Sequence, residues 1–293
     1  MALFFTQLLG GIQAGTVYAS LAIALVLIFR TTGILNFAQG EMALFTTYIV
    51  WKFTSTGMPV WIAIILATLI AFIGGALIER LVIRPVERSS PLVIVIVTIG
   101  MFLAINSLTQ LAFGSGQKAL PAAYPQHTWT PGGVLINSDL LVLSGVLAVE
   151  CALLYLLLQR TKLGLAFRGV ASNPESSRLL GVPVGRVLMM GWGLAAAVGA
   201  IAGALVVPTT PGLVPSSMQT VLVFAFAAAA LGGFDSVLGA VVGGLIVGVA
   251  DALTIGYVHA LRGIDLLVPF GLILLVLLFR PAGLFGTTRV ERV

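Results

Sequence analysis

Charged residues are scarce in this sequence and make up only 9% of its 293 residues. A soluble domain of ordinary composition carries about 25%. Hydrophobic residues account for 59% of the chain, and the mean hydropathy is +1.13. Because so few charges cannot cover a soluble surface, we interpret lipid as the main solvent of the chain. This excludes an ordinary soluble protein and leaves no room for a soluble catalytic domain.

Cysteine and histidine are almost absent. The one cysteine, Cys151, lies inside an apolar run, which excludes a disulfide framework and a cysteine metal cluster. His127 and His259 have no His, Cys or carboxylate at ligand spacing, so we predict no metal site and no cofactor. The sequence also lacks G-x-x-x-x-G-K-[ST], G-x-S-x-G and H-E-x-x-H. We therefore assign no catalytic residues and predict that the chain is not an enzyme.

Long apolar runs are what the sequence does contain. A bilayer span takes roughly 20 apolar residues, and the runs lie near residues 6–29, 34–54, 58–79, 91–113, 139–159, 187–207, 217–233, 237–256 and 264–280. We predict an all-α polytopic membrane protein with about nine transmembrane helices, forming a single transmembrane domain over residues 1–293. The run 217–233 is short, and the sequence leaves open whether it crosses fully or is re-entrant.

The net charge of +5 comes from basic residues in the short segments between the apolar runs. With nine spans and the N-terminus outside, twelve of the fifteen Lys and Arg residues fall on one side of the membrane. Basic residues favour the cytoplasmic side, so we predict an external N-terminus and a cytoplasmic C-terminus. Charges distributed in this way set membrane orientation, and we predict no nucleic-acid partner.

Polar residues interrupt the start of the second run, in the segment 33–41. Asn36, Gln39, Gly40 and Glu41 stand at the beginning of an otherwise apolar helix. A carboxylate in hydrocarbon is costly unless it is paired or faces water, which makes Glu41 a functional candidate, and a glycine beside it would allow a discontinuous helix. The alternative is that these residues only cap the helix near the cytoplasmic interface. The residues alone leave both interpretations open.

The segment 160–186 is the longest predicted cytoplasmic loop, and it contains the signals of a short helix. The signals are Ser172 or Asn173 as the N-cap, Pro174 at the first helical position, Glu175 in the first turn, and Gly181 as the stop. Such a helix would lie across the membrane face and present Arg178 with Leu179 or Leu180 to a soluble partner. An ordinary positively charged loop is the alternative.

Three stretches resemble the LivH-type permeases of branched-chain amino-acid ABC importers. In the first, G-x-x-N-F-A-H-G-E is matched by Gly33, Asn36, Phe37, Ala38, Gly40 and Glu41, while Gln39 stands where histidine is usual. The second carries T-x-L-G-x-x-x-R and P-E-x-x-x-L-L-G-V between residues 161 and 182. The third is L-G-G-F-D-S-x-x-G-A-x-x-G-G, from Leu231 to Gly244. The resemblance covers essentially the whole chain in order and spacing.

The resemblance implies a role for two of these stretches. The helix 168–182 would couple the permease to a cytoplasmic ATPase, and the segment 33–41 would lie at the translocation pathway or its gate. The implied coupling residues are Arg168, Asn173, Glu175, Arg178, Leu179, Leu180 and Gly181. The implied pathway or gate residues are Asn36, Phe37, Gln39, Gly40 and Glu41.

The resemblance also implies partners and a location. The expected partners are a second related permease subunit, two cytoplasmic ATP-binding subunits, an extracytoplasmic substrate-binding protein and membrane lipid, in the bacterial cell (inner) membrane. The expected cargo is branched-chain or related hydrophobic amino acids. Urea, short amides or other amino acids are alternatives, because much of the selection lies in the binding protein. An ion-coupled secondary transporter and a purely structural scaffold are more distant alternatives.

Overall fold

The computed structural model describes residues 1–87, 89–207, 212–258, 264 and 266–286 of the chain. The helices of these residues are α1 (Ala2–Thr32), α2 (Gln39–Ser55), α3 (Val60–Ile78), α4 (Pro91–Phe113), α5 (Ser138–Arg160), α6 (Lys162–Ser172), α7 (Pro174–Leu179), α8 (Val184–Val206), α9 (Ser217–Gly232), α10 (Val237–Tyr257) and α11 (Leu267–Phe279). Two short strands, β1 (Thr128–Trp129) and β2 (Ile136–Asn137), pair antiparallel between α4 and α5.

Every predicted apolar run coincides with one of these helices. Six of the helical stretches are long and apolar enough to cross a membrane: Ala2–Thr32, Val60–Val86, Pro91–Phe113, Ser138–Arg160, Val184–Val206 and Val237–Tyr257. These confirm a mostly helical polytopic membrane protein. The helices α2, α9 and α11 are shorter, with 17, 16 and 13 residues, so nine complete spans and the orientation stay predictions. Of the basic residues counted for the orientation, Arg88, Arg262, Arg289 and Arg292 lie outside the described residues.

Two elements differ from the sequence prediction. The second helix begins at Gln39 and not near residue 34, because residues 34–38 are non-helical. The third helix continues beyond its predicted end as a π-helical turn, Glu79–Ile83, and a 3₁₀ turn, Arg84–Val86. We call residues 79–87 the α3 extension.

By its internal contacts the chain divides into two compact units. The first comprises Met1–Val26, Pro125–Leu147 and the described part of Thr220–Val293, and the second comprises Leu27–Tyr124 and Ala148–Gln219. The single domain over residues 1–293 stays a prediction.

Glycine pairs bring α1 and α10 into close contact within the first unit. A Cβ atom at Gly15 would lie 2.8 Å from the carbonyl oxygen of Gly244, and one at Gly11 would lie 2.6 Å from the Cα atom of Val249. The small-xxx-small spacing therefore marks a helix–helix contact in which the two backbones nearly touch.

Small residues also determine the packing of α2, α3 and α8 in the second unit. A Cβ atom at Gly75 of α3 would lie 2.5 Å from the carbonyl oxygen of Trp192 in α8. Ala71, Ala196 and Ala200 pack with Met42 in one buried cluster. Because these side chains are short, α8 can lie against both α2 and α3, and this brings the polar segments described below into contact with α8.

We predict that Gly15→Val destabilises the protein by about 1–3 kcal/mol, because the added methyl groups would meet the backbone of α10. Thermal unfolding of the purified protein in mild detergent measures the effect. The matched control is Gly10→Val, since a Cβ atom at Gly10 has no neighbour within 4 Å. Equal melting temperatures for the two variants would contradict the close α1–α10 contact.

Candidate translocation and coupling sites

Helix α2 begins beside the middle of α8. The Nε2 atom of Gln39 donates to the carbonyl oxygen of Ala195 at 2.9 Å. Ala195 lies 11 residues after Val184, the first residue of α8, which corresponds to roughly 16 Å along the helix. Further along, Ala43 and Thr47 lie next to Gly203, so the two helices run parallel. The non-helical segment before Gln39 therefore ends level with the centre of α8 and not with its end.

Side chains satisfy the polar backbone of this break. The Oδ1 atom of Asn36 accepts from the backbone N–H of Ala38 at 3.0 Å, and the Oγ1 atom of Thr32 accepts from that of Ile34 at 3.2 Å. The Nδ2 atom of Asn36 donates to Oε1 of Gln39 at 3.1 Å, and both side chains are fully buried. Because no water is available in hydrocarbon, a break in a membrane helix persists only with such internal partners.

Glu41 is a buried carboxylate held by two amides. Its side chain is 1% exposed; Oε2 accepts from Nδ2 of Asn106 at 2.9 Å, and Oε1 accepts from Nε2 of Gln219 at 3.4 Å. Asn106 also donates to the carbonyl oxygen of Pro215 at 2.9 Å. These bonds offset part of the cost of burying the carboxylate and connect the start of α2 with α4 and the start of α9.

The predicted pathway residues therefore lie at one place in the second unit. Asn36, Gln39, Gly40 and Glu41 are buried and Phe37 is half-buried. Their role in the pathway or gate stays a prediction. Gln219, which bonds to Glu41, was not predicted from the sequence. The available signal was that Gln219 carries the one side-chain amide of the apolar run 217–233.

The short helix predicted in the segment 160–186 is present as α7, and its local signals are confirmed. The Oδ1 atom of Asn173 accepts from the backbone N–H of Ser176 at 2.9 Å, and Pro174 is the first helical residue. Gly181 ends the helix with a φ of +81°, a value that strains residues with a side chain. The preceding α6 was not predicted separately; Thr161 caps it.

The predicted coupling residues divide into two groups. Leu179 and Leu180 are 90% and 84% exposed, and Glu175 is exposed as well. The two arginines instead bond within the chain: Arg168 donates to Leu158 and Gln159 at the end of α5, and Arg178 forms an ion pair of 3.1 Å with Glu87. The apolar part of the surface that α7 leaves open to a partner therefore lies at its C-terminal end, at Leu179 and Leu180.

The α3 extension contains an ion pair that was not predicted from the sequence. Nη2 and Nε of Arg84 bond to Oε2 and Oε1 of Glu79 at 2.7 and 3.2 Å, and the Glu79 side chain is 1% exposed. Nη2 of Arg84 also donates to the carbonyl oxygen of Gly185 at 2.6 Å. The available signal for this ion pair was the density of charged residues in E-R-L-V-I-R-P-V-E, residues 79–87. From the sequence, the basic residues of this segment were used only to predict membrane orientation.

A cavity of about 650 Å³ lies beside the α3 extension. Its walls come from the end of α1, the α3 extension, α7 and the start of α8. Among the described residues, no three or more His, Cys, Asp or Glu side chains come together as a metal site.

We predict that Asn106→Leu lowers the free energy of unfolding by about 2–3 kcal/mol, because it removes a hydrogen bond to a buried carboxylate. Denaturation of the detergent-solubilised protein measures the loss. Ser107→Leu, at an exposed position of the same helix, is the control and should change stability much less. Similar losses in both variants would show that the Glu41 contact contributes little.

The chain matches a protein family and several known permeases over nearly its whole length. The profile of the family described as "Branched-chain amino acid transport system / permease component" matches residues 7–277. The chain is 30% identical to the high-affinity branched-chain amino acid transport system permease protein LivH of Salmonella typhimurium, over 99% of this chain and 98% of that protein.

Two further relatives come from other organisms. The chain is 31% identical to the permease protein BraD of Pseudomonas aeruginosa, over 99% of this chain and 98% of the relative. It is 28% identical to the probable branched-chain amino acid transport permease protein LivH of Methanocaldococcus jannaschii, over 94% of this chain and 91% of that relative. No solved structure matches the chain significantly.

The family match and the six long apolar helices together identify a multi-pass protein of the cell inner membrane. The chain belongs to the permease components of branched-chain amino acid transport systems, and it is similar to LivH and BraD over nearly its whole length.

Proposed function

We propose that this chain forms half of the translocation pathway of an importer that is driven by ATP hydrolysis on partner subunits. Its cargo is branched-chain or related hydrophobic amino acids. The observation that carries the proposal is the exposed leucine pair of α7, in a chain that matches a permease family from residue 7 to residue 277. The sequence has no P-loop of its own, so the nucleotide is bound by another chain.

The geometry of α7 suits docking on a soluble subunit. Asn173 and Gly181 fix both ends of the helix, so its surface is preorganised. Leu179 and Leu180 are almost fully exposed at its C-terminal end. An amphipathic helix that inserts apolar side chains into a groove is a common mode of protein recognition. In this arrangement the leucines contact the ATP-binding subunit, while Arg178 faces its own chain.

The break before α2 supports a role in translocation. It ends level with the centre of α8, and discontinuous helices at such depth form substrate sites in other transporters. Asn36, Phe37, Gln39, Gly40 and Glu41 are the pathway or gate residues of the proposal.

The proposed assembly has nine spans in each permease subunit, with the N-terminus outside and the C-terminus in the cytoplasm. A second related permease completes the pathway, two ATP-binding subunits dock on the cytoplasmic side, and an extracytoplasmic binding protein delivers the cargo. Three relatives named for branched-chain amino acid transport support this cargo. The same type of permease could carry urea, short amides or other amino acids.

Purification from native membranes tests the assembly. The tagged chain is extracted in mild detergent, and co-purified proteins are identified by mass spectrometry. We expect a P-loop ATPase and a second permease, and the co-purified binding protein is then titrated with leucine, isoleucine, valine and urea. Recovery of the chain alone, under conditions that preserve other importers, would instead favour an ion-coupled transporter, with Glu41 as the candidate ion-binding group.

We predict that Leu179→Asp reduces co-purification of the ATPase at least about tenfold, because it places a charge in the apolar contact. Quantitative mass spectrometry of the purified complex measures the ratio of ATPase to permease. Leu165→Asp is the control, since Leu165 is an exposed leucine of the neighbouring helix α6. Unchanged ATPase recovery with Leu179→Asp would contradict docking at this end of α7.

A further inference from the structure

Helix α7 and the start of α8 contact the α3 extension at two separate points. At the first point, Nη2 of Arg178 in α7 lies 3.1 Å from Oε1 of Glu87. At the second, Nη2 of Arg84 donates to the carbonyl oxygen of Gly185 at 2.6 Å. The segment that would dock on the ATPase is therefore attached to the end of α3 on both sides of the turn at Gly181.

The absence of a side chain at Gly185 leaves room for the second contact. A Cβ atom there would lie 3.0–3.2 Å from Cζ, Nη1 and Nη2 of Arg84, so the guanidinium group would have to shift by a few tenths of an ångström. The guanidinium group is itself fixed by two bonds to the buried carboxylate of Glu79. Because Glu79 is 1% exposed, Arg84 is held beside it, so a displacement of the start of α8 either breaks the bond to Gly185 or moves the α3 extension as well.

The α3 extension has the features of a segment that changes conformation. It passes from an α-helix through a π-helical turn to a 3₁₀ turn within eight residues. Such interruptions often occur at functional hinges. The cavity of about 650 Å³ borders this segment at Glu79, Ile83 and Glu87, so these residues are not packed against the rest of the chain on that side.

We propose that the α3 extension transmits movement of α7 to the membrane helices α3 and α8, with Arg84 and the Arg178–Glu87 pair as positioning residues. This inference rests on the proposed function, in which an ATPase docks on the leucines of α7. Arg178 then acts inside the chain, as the link between the docked helix and α3, and not as a contact to the ATPase.

A purely structural role for the Arg178–Glu87 pair is the competing explanation. The two side chains are 43% and 23% exposed, and ion pairs at such exposure contribute little to folding stability. Reversing one charge should therefore leave insertion and assembly intact while it changes the response to nucleotide. Restoring the pair with exchanged charges should restore that response.

The test measures amide hydrogen exchange of residues 79–87 in the co-purified complex, with and without a non-hydrolysable ATP analogue. In the unmodified complex we expect the analogue to change the exchange rate at least about twofold. Arg178→Glu and Glu87→Arg should each abolish this change, and the double variant should recover it. Arg186→Glu is the control, because Arg186 is an exposed arginine at the start of α8 outside both contacts.

The possible outcomes separate this inference from the proposed function. Loss of the ATPase from the unmodified preparation would refute the proposed function and this inference with it. An intact complex in which nucleotide leaves residues 79–87 unchanged would overturn the inference alone. A nucleotide-dependent change in the exchange of residues 79–87 in both single charge-reversal variants would also overturn the inference. Failure of the double variant to recover the response would show that the pair itself is not the link.

Arg84→Lys adds a test that preserves the charge beside Glu79. Lysine lacks the planar fork that reaches the carboxylate and the Gly185 carbonyl together. We expect this variant to assemble and to reduce the nucleotide-dependent change in exchange at least about twofold. In vesicles containing the complex and its binding protein, the ratio of leucine taken up to ATP hydrolysed should fall similarly. A full nucleotide response in this variant would remove Arg84 from the proposed role.

Discussion

The constraint on which the second unit depends is that polar groups inside a membrane must find their partners within the protein. The break before α2 leaves backbone groups without helical partners at the level of the centre of α8, and within a bilayer such groups need partners in the protein. Asn36 and Gln39 provide such partners, because they form hydrogen bonds with each other, with the local backbone and with the carbonyl oxygen of Ala195. Without these amides, α1 and α2 could not be separated at this depth, and Glu41 would not reach Asn106 and Gln219.

Helix α8 connects this break with the contacts of the α3 extension. Gln39 bonds to Ala195, and Arg84 bonds to Gly185, ten residues earlier on the same helix. At 1.5 Å per residue the two points lie about 15 Å apart on one rigid element. A displacement of the start of α8 therefore also acts on the amide pair that holds the break. The glycines and alanines of α3 and α8 make this possible, because they bring both polar segments within bonding distance of one helix.

Local signals were readable from the sequence, and contacts between distant segments were not. Asn173, Pro174 and Gly181 predicted α7 because caps and stops act within a few residues. The start of α2 was placed too early, because hydropathy cannot show that Asn36 bonds to Gln39 in a non-helical turn. Gln219 lies 178 residues from Glu41, and Gly185 lies 101 residues from Arg84. Neither pair has a local signature, and each became visible only when the helices packed together.

The two ionic contacts of the α3 extension differ in a way that suits different roles. Glu79 is buried, so separating it from Arg84 would leave an uncompensated charge in a medium of low dielectric constant. Arg178 and Glu87 are both accessible to water, which can replace either partner at little cost. The buried pair therefore fixes the guanidinium group of Arg84, which bonds to the carbonyl oxygen of Gly185 in α8. Because the exposed pair costs little to separate, its formation can depend on the position of α7, as the proposed link between α7 and α3 requires.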